Sequence, residues 1–432
     1  MKQNSLITKK RVAIVTNNLH CERNMQFFST LEYYFKANGW EIAEDFDVNL
    51  VIFSACGFHD TMYEKVIRTR DKLKKMHFLE KNIVVMGCLP KTHEEDLLKE
   101  FQGQIIYLHH EELLDDLINA KIPFTRIKPI SLFKTHKKCR HIKKEYDYFY
   151  IKIAEGCLRG CTYCVINKAK GELKSVPLEK IVSEFKSAIQ GGHNKIFLMG
   201  EDTFAYGFDI NTTIIQLVEH LLAIEPKVEL YFGYLHNRWL IKYSRSILSL
   251  CKRGVIRELH IGLQHVNEMI LTRMGRHVDF SRLYDLIKTI KKENPGFYLT
   301  ADIMVGFPGE TREIFRELAD FFKQDKCFDK ICHFSYSDVK GAPSCQFADK
   351  VPAAEAALRW EEMDKILGPR SISYQNKEPE TIDEATFRLA TLNDYLFCSD
   401  TFREKVKEIE DSQDLAWAKT DILAKDEKDF GF

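Results

Sequence analysis

The chain has 432 residues, of which 45% are hydrophobic and 29% are charged, a composition typical of a folded protein with two or three domains. Its 63 basic and 63 acidic side chains balance, so no overall charge attracts nucleic acid or anionic lipid. The amino-terminal segment has only a short apolar run, and no stretch reaches the about eighteen apolar residues of a membrane span. The chain contains twelve cysteines, and we therefore expect a cytoplasmic protein whose clustered cysteines bind metal or react rather than form disulfides.

The first 130 residues alternate short apolar runs with amphipathic segments. Strands are predicted at 12–15, 50–55, 83–86 and 105–108, and helices at 25–38, 65–79 and 94–101. Short buried strands that alternate with helices are typical of a parallel sheet covered on both faces. We therefore predict a Rossmann-like α/β domain over residues 1–130.

A polar, basic run interrupts this pattern and predicts a linker over residues 131–147, with a phosphate-contacting arm as the alternative. The alternation then resumes over residues 148–350. Six strands are predicted there, at 149–154, 195–199, 229–234, 259–263, 299–305 and 330–336. Six strand–helix units are too few to close an eight-stranded barrel, so we expect a partial (β/α)6 barrel with its chemistry at the carboxyl ends of the strands. Residues 351–432 are predicted to form a helical, charged C-terminal extension.

The stretch E-G-C-L-R-G-C-T-Y-C contains Cys157, Cys161 and Cys164 in a C-x3-C-x2-C pattern after a predicted strand. Zinc normally requires four ligands in two pairs, and no second pair follows nearby. A redox-active C-x2-C pair would give Cys157 no role. A four-iron cluster suits three thiolates, because one iron then stays open for a substrate or cofactor. The pattern favours an iron–sulfur site over three unrelated buried cysteines.

Three further cysteines, Cys21, Cys56 and Cys88, each follow a predicted strand of the first domain. The loops after successive parallel strands converge on one edge of a sheet, so the three thiols are expected to meet there. A second three-thiolate site would result. The alternative is that each is an ordinary buried cysteine.

The triplet and two later segments, I-F-L-M-G-E-D and D-I-M-V-G-F-P-G-E-T, resemble the radical S-adenosylmethionine (SAM) enzymes. The resemblance implies that Cys157, Cys161 and Cys164 bind a catalytic [4Fe-4S] cluster. We add Gln264 to the candidate SAM site because the sequence L-Q-H ends a predicted strand. The expected SAM-binding residues are Tyr163, Gly200, Glu201, Gln264, Asp302, Gly306 and Gly309.

Over roughly residues 10–350 the sequence is similar to the methylthiotransferases. The segments N-L-H-C-E-R-N, S-A-C-G-F and V-V-M-G-C-L-P-K resemble that family's three amino-terminal cysteine motifs. The resemblance implies that Cys21, Cys56 and Cys88 hold an auxiliary [4Fe-4S] cluster that carries sulfur. One SAM methylates this sulfur and a second gives a 5′-deoxyadenosyl radical, so that a C–H becomes C–S–CH3. The segments A-C-G-F, E-D-T-F-A-Y-G and L-Q-H favour the branch that modifies a ribosomal-protein aspartate.

The family's C-terminal β-barrel, which docks the macromolecular substrate, has no counterpart in the sequence. We therefore expect a peptide or protein substrate other than the ribosomal one, with an electron donor such as flavodoxin or ferredoxin. A tRNA substrate is less favoured, because the net charge is zero and the barrel is absent. Two more functions are compatible with the sequence: that of a peptide-modifying radical SAM enzyme whose second cluster only transfers electrons, and that of a non-catalytic scaffold that binds a partner.

Overall fold

A computed structural model describes residues 10–18, 21–43, 47–132, 148–158 and 160–373 of the chain. Most of the predicted linker and the last part of the predicted C-terminal extension lie outside these residues. Among the described residues, no helix is both long enough and apolar enough to cross a membrane.

The amino-terminal domain contains a parallel sheet with the strand order β2-β1-β3-β4-β5. This order is the flavodoxin-like variant of the doubly wound fold, so the predicted α/β class is confirmed. Strand β3 is buried along its whole length, as expected for a central strand covered by helices on both faces. The elements are β1 (Arg11–Thr16), α1 (Glu22–Ala37), β2 (Glu41–Ile42), β3 (Leu50–Ala55), α2 (Asp60–Lys75), β4 (Ile83–Gly87), α3 (Leu89–Thr92), α4 (Glu94–Glu100), β5 (Gln104–Ile105) and α5 (Leu113–Ile118).

Some boundaries in this domain differ from the predicted ones. Helix α2 begins at Asp60 rather than at residue 65, because His59 caps it by accepting a hydrogen bond from the Thr61 N–H. The strand predicted at 105–108 is limited to Gln104–Ile105, and the two-residue edge strand β2 was not predicted. Elements this short lack the periodicity on which a sequence-based prediction depends.

The second domain contains a parallel sheet with the order β14-β13-β12-β11-β10-β9-β6. All six predicted strands are present in it, and a short antiparallel ladder joins β7 to β8 beside them. The strands are β6 (Phe149–Lys152), β7 (Ala154–Glu155), β8 (Lys174–Ser175), β9 (Lys195–Met199), β10 (Glu229–His236), β11 (Ile256–Gln264), β12 (Tyr298–Val305), β13 (Lys330–Ser335) and β14 (Ser371–Ser373). The helices are α6 (Ile166–Lys170), α7 (Leu178–Gln190), α8 (Ile214–Ile224), α9 (Arg238–Lys242), α10 (Ser244–Lys252), α11 (Glu268–Arg273), α12 (Phe280–Glu293), α13 (Arg312–Gln324) and α14 (Ala353–Leu367).

The chain beyond residue 350 continues the barrel rather than starting a separate unit. Helix α14 packs on α13 and β13 and buries Trp360, Met363 and Leu367 in the barrel core. Strand β14 then pairs in parallel with β13 and extends the sheet. The predicted boundary at 350 is therefore corrected to at least residue 373. A three-residue strand gives no sequence pattern, so its pairing was not predictable.

The two domains share an apolar interface. One cluster of buried side chains combines residues of α1 with barrel residues Tyr150, Phe197, Met199 and Tyr231. Away from this cluster, two polar contacts also link the domains: the Ser337 hydroxyl donates to Asp60 at 3.3 Å, and Lys340 pairs with Glu95. The carboxyl ends of the strands of both sheets consequently lie around one space.

Candidate active site

The space between the two sheets is a cavity of about 520 Å³. It is lined by the loops that follow strands of both domains, and its size lies in the range of roughly 300–1,000 Å³ usual for ligand sites. All six cysteines predicted as cluster ligands line it: Cys21, Cys56, Cys88, Cys157, Cys161 and Cys164. Both cysteine triads therefore line one cavity.

The loop that carries the barrel cysteines is closed at its base by the β7–β8 ladder. The backbone of Cys157 also forms an isolated β-bridge with that of Glu172. Gly156 at the start of this loop has φ +71°, and a Cβ there would lie 2.2 Å from the Glu172 carbonyl oxygen. Only glycine fits both the left-handed backbone and this close approach. Local sequence thus determines where Cys157 leaves the strand.

A turn after α11 supports the other side of this loop. Thr162 donates its N–H to Met274 O at 3.0 Å and its hydroxyl to Arg273 O at 2.8 Å. Gly275 has φ +70°, and a Cβ there would lie 2.0 Å from the carbonyl oxygen of Gly160. The loop is therefore held by backbone contacts on two sides.

The amino-terminal cysteines lie where three neighbouring strands end. Cys21 precedes α1, Cys56 follows β3, and Cys88 lies between β4 and α3. The side chain of Asn17, which follows β1, donates to Cys56 O at 2.8 Å and accepts from Cys56 N–H at 2.7 Å. These two hydrogen bonds join the ends of β1 and β3 at the switch point of the sheet, the usual ligand position in this fold.

The thiols fall into two electrostatically interacting groups. Burial, together with Cys88 and Cys21, raises the pKa of Cys56 to about 12. Burial and, to a smaller extent, the neighbouring Cys161 thiol raise the pKa of Cys164 to about 12 as well. Such thiols stay protonated unless a bound cation stabilises the thiolate form. Among the described residues, no group of three His, Cys, Asp or Glu side chains is arranged around a single metal-ion position.

Four charged side chains form a largely buried network between the domains: Arg23, Glu155, Lys170 and Glu201. Arg23 pairs with Glu201, and its Nη2 lies 3.5 Å from Glu155 Oε1; Lys170 Nζ lies 3.1 Å from the same oxygen. Burial alone would lower the pKa of Arg23, but Glu201 and Glu155 raise it. Burial would raise the pKa of Glu155, but Lys170 and Arg23 bring it below its usual value. Arg23 and Glu155 are therefore charged at neutral pH.

Arg276 contacts Cys161, one of the barrel cysteines, directly. Its Nη1 donates to Cys161 Sγ at 3.1 Å, and its Nη2 donates to Gly262 O at 2.6 Å. Burial alone would lower its pKa, but Tyr163 and Cys161 raise it. Arg276 is 7% exposed, so its guanidinium is buried beside the cysteine loop rather than solvated. Arg273, by contrast, is partly exposed and pairs with Asp349 at 2.6 Å.

Two family models match this sequence: the Radical SAM superfamily over residues 151–322 and the Uncharacterized protein family UPF0004 over residues 12–108. The ribosomal protein uS12 methylthiotransferase RimO of Pseudothermotoga lettingae is 32% identical over 368 residues, which are 83% of this chain and 83% of that protein. The chain belongs to the radical SAM methylthiotransferase family. The cofactors of this methylthiotransferase are accordingly SAM and two [4Fe-4S] clusters.

Relatives named for a different substrate are almost as similar. The probable threonylcarbamoyladenosine tRNA methylthiotransferase of Pyrococcus horikoshii is 30% identical over 76% of this chain and 78% of that protein. Among solved structures, the radical SAM methyltransferase TsrM of Kitasatospora setae covers 76% of this chain and 75% of that chain, with 14% identity and a TM-score of 0.49. The relatives thus include both a protein-modifying and a tRNA-modifying methylthiotransferase.

The residues expected to bind SAM in this methylthiotransferase divide into two sets. Gln264 lines the cavity with φ +68°, a strained conformation for a residue other than glycine, and its buried Oε1 has no hydrogen-bond partner. A buried amide oxygen without a partner is suited to accept a hydrogen bond from a ligand. The other expected residues that line the cavity are Tyr163, Gly200, Glu201 and Asp302.

Two of the expected residues, Gly306 and Gly309, do not line the cavity. After β12 the chain turns away, so that a Cβ on Gly306 would meet Ala356 of α14 at 2.8 Å. Gly309 faces the Arg273 and Asp349 side chains instead. Their left-handed backbone shapes the turn that follows β12, and their contact with SAM stays a prediction.

Glu201 lines the cavity, but its carboxylate already has partners within the protein. Its Oε2 accepts the Gly156 N–H at 2.8 Å, and it pairs with Arg23. This network was not predicted, although Arg23 lies two residues after Cys21 and Glu155 two residues before Cys157. These two charged residues, each close in sequence to a predicted cluster cysteine, were the only signal in the sequence that could have indicated the network.

Proposed function

We propose that this methylthiotransferase inserts a methylthio group at an unactivated C–H of a peptide or protein side chain. In this proposal Cys157, Cys161 and Cys164 bind the radical SAM cluster, and Cys21, Cys56 and Cys88 bind the auxiliary cluster. The observation that carries the proposal is the single cavity between the domains, lined by both cysteine triads. A sulfur transfer that needs a radical at the substrate requires both sites to face one substrate position.

The chemistry supplied by the cofactors is a carbon-centred radical from SAM at the open iron of one cluster and a methylated sulfur at the other. The protein's own side chains bind, orient and exclude water. Gln264 is proposed to accept a hydrogen bond from SAM through its Oε1 atom, which lacks a protein partner. Tyr163 and Asp302 line the same part of the cavity, and Tyr163 Oη lies 3.4 Å from Arg276 Nη1.

The assignment of a protein rather than a tRNA substrate is supported by charge. The chain has no net charge, and the cations Arg23 and Lys170 at the cavity are engaged by carboxylates rather than left available to phosphate. The similarity to relatives named for uS12 and for tRNA leaves both classes within the family. A cytoplasmic location and a flavodoxin or ferredoxin as electron donor are part of the same proposal.

The first test requires no substrate. The full-length protein would be reconstituted anaerobically, its iron counted, and SAM added without reductant before an acid quench. The proposal expects about eight irons per chain, for two cubanes, and methanethiol released together with S-adenosylhomocysteine. Two clusters without methanethiol would identify instead an enzyme whose second cluster only transfers electrons.

The second test separates the substrate classes. The reduced enzyme with SAM would be given either a proteome-derived peptide mixture or bulk tRNA, each scanned by mass spectrometry for the gain of a methylthio group. Modified peptides with unmodified tRNA support the proposal. Modified adenosine in tRNA with no modified peptide contradicts it.

A further inference from the structure

The network of Arg23, Glu155, Lys170 and Glu201 joins the two cysteine-bearing segments. Arg23 lies at the beginning of α1, two residues after Cys21. Its partners Glu201 and Glu155 belong to the barrel, and Glu201 accepts the N–H of Gly156 next to Cys157. A chain of contacts therefore runs from the amino-terminal triad to the barrel triad.

All four side chains are shielded from water. Their side-chain exposures are 11% for Arg23, 15% for Glu155, 12% for Lys170 and 14% for Glu201. Burying charges has a desolvation penalty that is offset only by close pairing, and a pair kept solely for folding is often replaceable by apolar residues. Four buried charges at this position therefore indicate a role in addition to holding the domains together.

The two cations lie in the same cavity as the amino-terminal cysteines. Arg23 and Lys170 line it together with Cys21 and Cys88, and Arg23 follows Cys21 by two residues. A nearby cation stabilises negative charge at such a buried site, whereas an uncompensated carboxylate destabilises it. A cluster held by three thiolates carries negative charge, and its reduction potential depends on the charges around it.

The geometry points to Arg23 and Lys170 as positioning residues that stabilise the reduced state of the auxiliary cluster, with Glu201 and Glu155 holding both cations from the barrel side. This inference rests on the proposed assignment of Cys21, Cys56 and Cys88 to that cluster. It makes the barrel a determinant of the potential of a cluster bound by the other domain. Through Gly156, the same contacts fix the separation of the two cysteine loops.

The inference is tested in the full-length chain with Cys157, Cys161 and Cys164 changed to Ala, so that a single cluster signal is measured. Arg23→Gln, Glu201→Gln and Arg312→Gln would each be reconstituted, their iron counted, and the midpoint potential determined by EPR-monitored redox titration. Arg312→Gln is the matched control, because it also removes an arginine from an ion pair, with Glu362, on the outer helices. Absence of iron in the parent chain would refute the proposed cluster assignment itself, separately from this inference.

The two network variants are expected to shift the midpoint potential in opposite directions. Arg23→Gln removes a positive charge and should lower the midpoint potential. Glu201→Gln removes the negative charge that compensates Arg23 and should raise the potential. The new amide oxygen at position 201 can still accept the hydrogen bond from the Gly156 N–H. Mere disruption of the ion pair would move both potentials the same way. Shifts in the same direction, or shifts no larger than in Arg312→Gln, would overturn the inference. If Arg23→Gln does not bind iron, the midpoint potential of Glu201→Gln alone decides. An upward shift of this potential supports the inference, and any other result overturns it.

Discussion

At the scale of single residues, the cysteine pattern could be recognised in the sequence, whereas the side chains that contact the cysteines could not be predicted. The spacing C-x3-C-x2-C is local, so Cys157, Cys161 and Cys164 can be identified from a few letters. Arg276 lies far from them in sequence, and only the fold brings its Nη1 to Cys161 Sγ at 3.1 Å. Contacts between distant segments leave no trace in a single sequence, so Arg276 could not be distinguished from the partly exposed Arg273.

Arg276→Gln is expected to weaken the radical SAM site. It removes the N–H to Cys161 Sγ and the hydrogen bond to Gly262 O, and loss of such an outer partner typically lowers metal affinity or activity by about 10- to 100-fold. The measurement is iron content after reconstitution and the rate of 5′-deoxyadenosine formation with SAM and reductant. Arg273→Gln is the control, because a partly exposed ion pair contributes about 0–1 kcal/mol. Equal activity in both variants would contradict a role for Arg276.

At the scale of elements, the strands were predicted well because their apolar runs are long and continuous. Strand β12 is buried at every position, and the predicted strand 299–305 differs from it by one residue. The prediction missed element ends and short elements. The His59 cap sets the start of α2, and pairing with the distant strand β13 produces β14. Burial fixes the middle of an element, whereas its ends depend on individual contacts.

Gly275→Ala is expected to disturb the cysteine loop more than an ordinary glycine substitution does. A Cβ there would lie 2.0 Å from Gly160 O, so about 1–3 kcal/mol of overpacking adds to the strain of φ +70°. Gly192→Ala is the matched control, with φ +81° and nothing within 4 Å of the new Cβ. Denaturant unfolding and iron content are the measurements. The expectation fails if both variants lose the same stability and retain full iron.

Met363→Ala tests whether α14 belongs to the barrel. Met363 is fully buried in the barrel core, and its truncation should lower the free energy of unfolding by about 2–5 kcal/mol. Leu358 lies on the same helix with 59% exposure, so Leu358→Ala should change it by about 0.5 kcal/mol or less. Both changes keep a good helix former, which isolates packing from helix propensity. Equal stabilities, measured by urea unfolding, would mean that α14 is a separate extension, as the sequence suggested.

At the scale of the whole molecule, two domains hold the two triads, yet both triads line one cavity. Each triad is built from the strand ends of its own sheet, and the contacts between the domains do not replace any cysteine. Loss of a thiol from one triad therefore leaves the loops of the other in place. The shared cavity and the separate supports together predict that the two halves of the reaction can be removed one at a time.

Cys161→Ala is expected to abolish 5′-deoxyadenosine formation, because the barrel triad then has two thiols left for a three-thiolate site. Cys56→Ala should retain 5′-deoxyadenosine formation but lose methanethiol release and the methylthio product. Cys251→Ala is the control, since Cys251 is fully buried in the barrel core and does not line the cavity; it should retain all three activities. The measurements are quantitative mass spectrometry of 5′-deoxyadenosine and assay of released methanethiol. Methanethiol release that persists in Cys56→Ala would mean that transferable sulfur is bound outside the amino-terminal triad.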